Sequence, residues 1–308
     1  MNEVEQQPEE LEEEKNVSSD GGESVEVQDS AVLLRGSDLL TPQEGSQLAA
    51  EGGTRLAIWA GERDSGKTTL SAELYERHRT DGANTVFAGS ETLLGFEERT
   101  HPSRVDSGRL TPRTLRTESD PEERELLHLA LSDDGNHENI LFADIPGELF
   151  RRMRDYELEV SDVPLLAHAD KLAIIVDGGL IADNGLRSAA VNFARQLIAQ
   201  LKSADLPAQR MDVILLLTKL DLVLAADASA LAYWDEREKS LLDALRELSP
   251  DAEAFRTAAR GLPSPEDGMN ALMAWLLKPP PEPPETGVSS EDVPAARIQR
   301  IRVPRTTP

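Results

Sequence analysis

The chain has 308 residues and a formal net charge of −25, from 57 acidic and 32 basic side chains. So acidic a composition lacks the basic surface that a counterion-release interface needs, which argues against general nucleic-acid binding. With no cysteine there is neither a disulfide framework nor a thiolate metal site. No run reaches the apolar length of a membrane span and no signal-peptide pattern opens the chain, so the expected location is the cytoplasm.

Residues 1–50 read as an acidic segment without regular structure. Over residues 1–30 the side chains are nearly all acidic or small and polar, with Lys15 the one base, and they bury too little apolar area to offset the entropy of ordering. A single domain is expected over 51–278. Its apolar runs at 56–60, 86–88, 126–131, 140–143, 172–176 and 213–217 read as strands. Helical patterns at 68–79, 186–202, 229–248 and 268–277 alternate with them. That alternation predicts an α/β fold in three layers around a mostly parallel sheet. Leu172 to Val176 is continuously apolar, as a strand buried on both faces requires. The runs at 126–131 and 138–143 flank Asp133-Asp134-Gly135-Asn136 and read as a hairpin, which would make one edge antiparallel. From Phe87 to Arg104 a strand followed by a helix is expected. The tail, 279–308, opens with a proline-rich run and is expected to be extended or disordered; it carries a small basic cluster, Arg297, Arg300, Arg302 and Arg305.

Three short motifs carry chemistry. Gly61-Glu62-Arg63-Asp64-Ser65-Gly66-Lys67-Thr68 fits G-x-x-x-x-G-K-[ST] between a strand and a helix, the setting in which this pattern holds phosphate. The backbone N–H groups of Gly61, Asp64, Ser65 and Gly66, with the helix start at Thr68 and Thr69, would face a phosphate. Lys67 would reach the outer phosphates and Thr68 would hold Mg²⁺. Asp144-Ile145-Pro146-Gly147-Glu148 follows the run at 140–143, so Asp144 ends a buried strand where a Mg²⁺-linked carboxylate belongs, and Gly147 offers an N–H to a γ-phosphate. Thr218-Lys219-Leu220-Asp221 ends the run at 213–217. Asp221 could accept two hydrogen bonds from guanine, a pair that adenine does not supply, while the stem of Lys219 lies over the base.

In order and spacing these motifs resemble the translation-factor-related, Ras-like GTPases over roughly residues 54–277, and they imply the P-loop NTPase fold. Rho-type members likewise carry Thr at the position of Thr218. A narrower resemblance, to the bacterial double-GTPase group, lies in Phe87-Ala88-Gly89-Ser90-Glu91-Thr92-Leu93-Leu94-Gly95-Phe96-Glu97-Glu98-Arg99, then Ser107-Gly108-Arg109 and Thr111-Pro112-Arg113-Thr114. The resemblance implies GTP or GDP as ligand with Mg²⁺, a role in biological conflict systems, and a protein partner that is a second GTPase or an effector; a dimer is left open by the sequence. It also implies a switch threonine on Mg²⁺ and γ-phosphate, for which Thr111, Thr114 and Thr117 are candidates and Thr114 is favoured. Phe255-Arg256-Thr257-Ala258-Ala259 resembles the element that caps the base through a backbone N–H, placing Thr257 and Ala258 there.

The hydrolytic machinery is less regular. Ras-like enzymes usually carry Gln after D-x-x-G, and Glu148 stands there instead. Its carboxylate could accept a hydrogen bond from the attacking water, or repel the γ-phosphate and slow attack. Arg109, Arg113, Arg116, Arg151, Arg152 and Arg154 are candidate arginine fingers in cis. Two functions stay open: a slow GTP hydrolase acting as a switch, and a GTP-binding module that works by pairing without hydrolysis.

Overall fold

The computed structural model describes residues 39–50, 52–80, 86–100, 126–133, 136–204, 211–259, 262 and 266–279, all within the compact unit from Ala31 to Pro308. In chain order its elements are α1 (Pro42–Ala50), β1 (Thr54–Ala60), α2 (Lys67–Thr80), β2 (Val86–Gly89), α3 (Leu93–Thr100), β3 (Leu126–Asp133) and β4 (Asn136–Ala143). There follow α4 (Gly147–Arg154), two 3₁₀ turns at Val160–Asp162 and Pro164–His168, β5 (Lys171–Asp177), α5 (Gly178–Ala182), α6 (Arg187–Ser203) and β6 (Asp212–Thr218). The last elements are α7 (Leu220–Ala225), α8 (Ala228–Arg246), β7 (Glu253–Arg256) and α9 (Met269–Leu277).

The strands form one sheet in the order β2-β3-β4-β1-β5-β6-β7. Strands β4, β1, β5, β6 and β7 run parallel, while β3 is antiparallel to both β4 and β2. The expected hairpin is the β3–β4 pair, in register from Leu126 opposite Ala143 to Asp133 opposite Asn136.

Period-2 side-chain alternation divides the core into two faces. Leu56, Ile58, Leu172, Ile174, Val176, Val213, Leu215 and Leu217 face α6 and α8, where Phe193, Leu197, Leu201, Trp234, Leu241 and Leu245 meet them. Ala57, Trp59, Ala173, Ile175, Ile214 and Leu216 face α2 and α9, which contribute Leu70, Leu74, Tyr75, Leu272, Trp275 and Leu276. Strands apolar on both faces are the mark of a parallel sheet covered on both sides. This is the three-layer P-loop NTPase architecture. Strand β1 has β4 on one side and β5 on the other, so the chain reverses its direction of travel across the sheet at β1, the place where open α/β sheets bind ligands.

One expectation needs correcting. Part of the segment assigned to an unstructured arm is built into the fold. Leu40 exchanges two backbone hydrogen bonds with Leu126, at 2.9 Å each, and α1 follows with a capping box of Thr41 and Glu44 at its start. Leu40 and Leu48 are buried in the face shared with Leu126 and Leu141. Burying each is worth roughly 1.5–3 kcal/mol, and hydrophobic contact, not the polar composition upstream, decides this stretch.

Candidate functional site

The loops after β1, β4, β5, β6 and β7 all leave the sheet at the same edge, because these five strands are parallel. The phosphate-type loop joins β1 to α2. Two of its residues take positive φ, Asp64 at 61° and Gly66 at 95°. The value at Gly66 lies outside what side chains readily adopt, so the turn into α2 needs glycine. Lys67 opens α2 and folds back over the loop, where its Nζ donates to the carbonyls of Gly61 at 3.0 Å and Glu62 at 2.8 Å. Burial pushes its pKa down to about 8, against the pull of Asp144, Glu148, Asp64 and Glu62, of which Asp144 acts most strongly. Thr68 and Thr69 lie half-buried in the first turn of the helix.

Asp144 follows β4, with its side chain almost buried and its Oδ2 3.3 Å from Arg99 Nη2. Arg99 lies on α3, within the segment that carries the narrower resemblance, and its Nη1 is fixed by the Gly95 carbonyl at 3.1 Å. Gly147 starts α4 directly against the loop. A Cβ there would lie 2.3 Å from the Arg63 nitrogen and 2.5 Å from the Glu62 carbonyl carbon, so only glycine permits this approach. Glu148, next along, pairs with Arg63 at 3.2 Å.

The third motif braces the first. Thr218 Oγ1 donates to the Ser65 carbonyl at 2.8 Å and lies 3.3 Å from that of Val176. Lys219, at φ 52°, sends its Nζ to the Asp64 carbonyl at 2.7 Å and to Asp177 Oδ2 at 2.8 Å. Asp177 in turn caps α5 by accepting from the Gly179 N–H. Asp221, in the first turn of α7, is half-buried and has no hydrogen-bond or ion-pair partner among the described residues.

Thr257 and Ala258 follow β7, and both N–H groups are engaged. Thr257 N donates to the Leu217 carbonyl at 2.7 Å and Ala258 N to that of Asp267 at 2.8 Å. A base would have to win Ala258 N–H from Asp267 or use the next amide, that of Ala259. The loop is otherwise well held: buried Asp267 pairs with Arg77 at 2.6 Å and accepts from the Met269 N–H at 3.0 Å.

Of the arginines considered as fingers, Arg154 is committed to Glu62 and Asp155, and Arg152 stands 3.6 Å from Glu157. Arg109, Arg113 and Arg116 lie outside the described residues, as do Thr111, Thr114 and Thr117. Four charged residues of the site were not anticipated: Arg63, Arg99, Asp177 and, as a brace, Glu62. Asp177 had a usable signal, since it ends an apolar strand as Thr218 does and as Asp144 follows one.

No group of three His, Cys, Asp or Glu side chains converges on a metal position among the described residues. Mg²⁺ at a phosphate needs less, because it takes one or two protein oxygens and completes its octahedron with phosphates and waters. The Thr68 hydroxyl and the Asp144 carboxylate, the latter already holding a cation in Arg99, are a donor set of that kind.

A loop of this shape against a glycine-started helix, with a T-K-x-D strand end bracing it, defines a P-loop nucleotide-binding protein. The Double-GTPase 2 family profile matches residues 59–276, which is most of the chain and takes in all three motifs. The chain belongs to that family, a family of GTP-binding proteins. A search of curated proteins gives no match. Among the described residues no helix is long and apolar enough to cross a membrane.

Proposed function

We propose that the chain is a guanine-nucleotide switch that binds GTP with Mg²⁺ and hydrolyses it slowly to GDP and phosphate. The observation that carries this reading is the mutual contact of the three motifs: Gly147 against Glu62 and Arg63, Thr218 on Ser65, and Lys219 on Asp64. Lys67 and the loop amides would hold the β- and γ-phosphates, Gly147 N–H would meet the γ-phosphate, and Asp221 would read guanine. Thr68 and Asp144 would hold Mg²⁺, with Thr114 the proposed third oxygen. That ion would neutralise charge on the phosphates.

GTP would order the segments around Thr114 and Gly147 and hydrolysis would release them, as in other γ-phosphate switches. The resemblance to the double-GTPase group supports placement in a bacterial conflict or signalling system, with a second GTPase or an effector as partner. A second reading, a GTP-binding module that does not hydrolyse, is favoured by one feature: Glu148, at the water-orienting position, is already engaged by Arg63.

Base specificity tests the reading. Asp221→Asn is expected to weaken GTP binding by about 10²-fold or more and to favour xanthosine triphosphate, because the amide donates where the carboxylate accepted. Unchanged GTP affinity in that variant removes guanine from the assignment.

A further inference from the structure

Two ion pairs fasten neighbouring residues of the phosphate loop to α4. Arg154 Nη1 donates to Glu62 Oε1 at 2.9 Å, and Arg63 Nη1 stands 3.2 Å from Glu148 Oε1. The pairs differ in kind. Arg154 is also gripped by both carboxylate oxygens of Asp155, at 2.7 and 2.8 Å, and its guanidinium lies 5.9 Å from the centre of the Phe193 ring. It is a fixed brace. The Arg63 side chain is half exposed, and among the described residues its ion-pair partners are Glu148 and, at 3.9 Å, Asp64.

Arg63 lines an open cleft of about 290 Å³ together with Glu62, Gly147, Glu148 and Arg151. One wall of that cleft is the loop that would cradle the β-phosphate. The other is the start of α4, whose Gly147 N–H would meet the γ-phosphate. A triphosphate would bring its last group to this cleft, whereas a diphosphate stops short.

We propose that Arg63 is a catalytic arginine carried in cis inside the phosphate loop, held in reserve by Glu148 and transferred to the γ-phosphate when GTP binds. The inference rests on the reading of this loop as a GTP site. Glu148 offers the guanidinium one negative charge. A γ-phosphate offers more charge and three oxygens in the geometry that a guanidinium fork binds best. The transfer also frees the Glu148 carboxylate to accept a hydrogen bond from the attacking water. In the reaction, the water oxygen bonds to Pγ and the bond from Pγ to the β–γ bridging oxygen breaks. That bond's electron pair stays on GDP; one of the water's protons stays on the oxygen now bonded to Pγ and the other passes to a second oxygen of the released phosphate, which leaves as H₂PO₄⁻. Charge spread over the γ-oxygens and the bridging oxygen is what Arg63 neutralises. Without it, Glu148 is a bare negative charge facing a phosphate. GDP leaves the Arg63–Glu148 pair intact, so the same side chain discriminates triphosphate from diphosphate.

The test uses the full chain with Arg63→Ala, Arg63→Lys and Glu148→Gln, measuring the Kd of GTP and of GDP and the single-turnover rate with Mg²⁺. Arg63→Ala is expected to weaken GTP about tenfold while GDP binding holds, and to slow hydrolysis by about 10³-fold. Arg63→Lys should recover affinity but little of the rate, because a point charge lacks the fork. Glu148→Gln should tighten GTP several-fold by removing the competing carboxylate, again without affecting GDP. An Arg63→Ala chain with the wild-type rate and an unchanged GTP-to-GDP affinity ratio, or one that binds GTP more tightly, would reduce Arg63 to a second brace and overturn the inference. If the wild-type chain itself binds neither nucleotide, the reading of the site fails first and this inference fails with it.

Discussion

Lys67 illustrates how one residue's burial sets both stability and binding. Its pKa is lowered from the ordinary 10.5 to about 8, chiefly because burial penalises the charged amine. Below about pH 8 the folded chain carries that desolvated charge and bears its cost. Between the two values the folded amine has lost a proton that the unfolded chain keeps, so this residue's contribution to stability rises with pH. Nucleotide binding has the opposite sign, since only the ammonium form attracts phosphate. GTP affinity is therefore expected to fall as pH is raised from about 7 to 9.5, and binding at the upper end should take up protons. Isothermal titration in two buffers of different ionisation enthalpy reads both effects; an affinity flat across that range would mean that Lys67 does not meet the phosphates. The lysine's position was legible from G-x-x-x-x-G-K-T. Its neighbours Arg63 and Arg99 were not, because their partners Glu148 and Asp144 are far along the chain and nothing local marks the pairs.

At the scale of elements, the site is a set of strand ends held by backbone contacts. Gly147→Ala would by helix propensity favour α4, yet its Cβ would run into the Arg63 nitrogen and the Glu62 carbonyl carbon. Backbone atoms cannot rotate away as a side-chain tip can, so the loop and α4 must separate. A loss of roughly 1–3 kcal/mol in denaturant unfolding is expected, with weaker GTP binding. Thr218→Val keeps the shape of the side chain but leaves the buried Ser65 carbonyl without its donor, and should cost about 1–3 kcal/mol while loosening the nucleotide. Both variants near wild-type stability would show that the three motifs are not packed as described. The strands that carry these ends, β1, β5 and β6, were legible because buried parallel strands read as unbroken apolar runs. Strand β7, the four residues Glu-Ala-Phe-Arg, gave no such run, being an edge strand with only partial burial. Helices α5 and α7 are five and six residues long, too short for a helical period to emerge from the loops around them.

Over the whole molecule, the strand order gathers the motifs of the proposed nucleotide site, from residues 61 to 258, onto a single edge of the sheet. The alternating pattern of the sequence foretold this α/β architecture, but not that the fold begins before residue 51. Helix α1 has a glycine in its first half, and its burial comes from contact with Leu126 and Leu141 rather than from its own pattern. Leu40→Ala is expected to cost about 2–5 kcal/mol, lowering Tm by roughly 5–15 °C, whereas a residue of an unstructured arm would leave Tm unchanged. The central claim, that this edge is a GTP site, is tested most directly by binding and single-turnover hydrolysis of GTP and ATP with Mg²⁺, in the wild type and in Lys67→Ala. The account predicts GTP-preferring binding that is lost in the variant, with slow Mg²⁺-dependent release of phosphate from the wild type. Equal affinity for ATP, or GTP binding that survives the loss of Lys67, would contradict it.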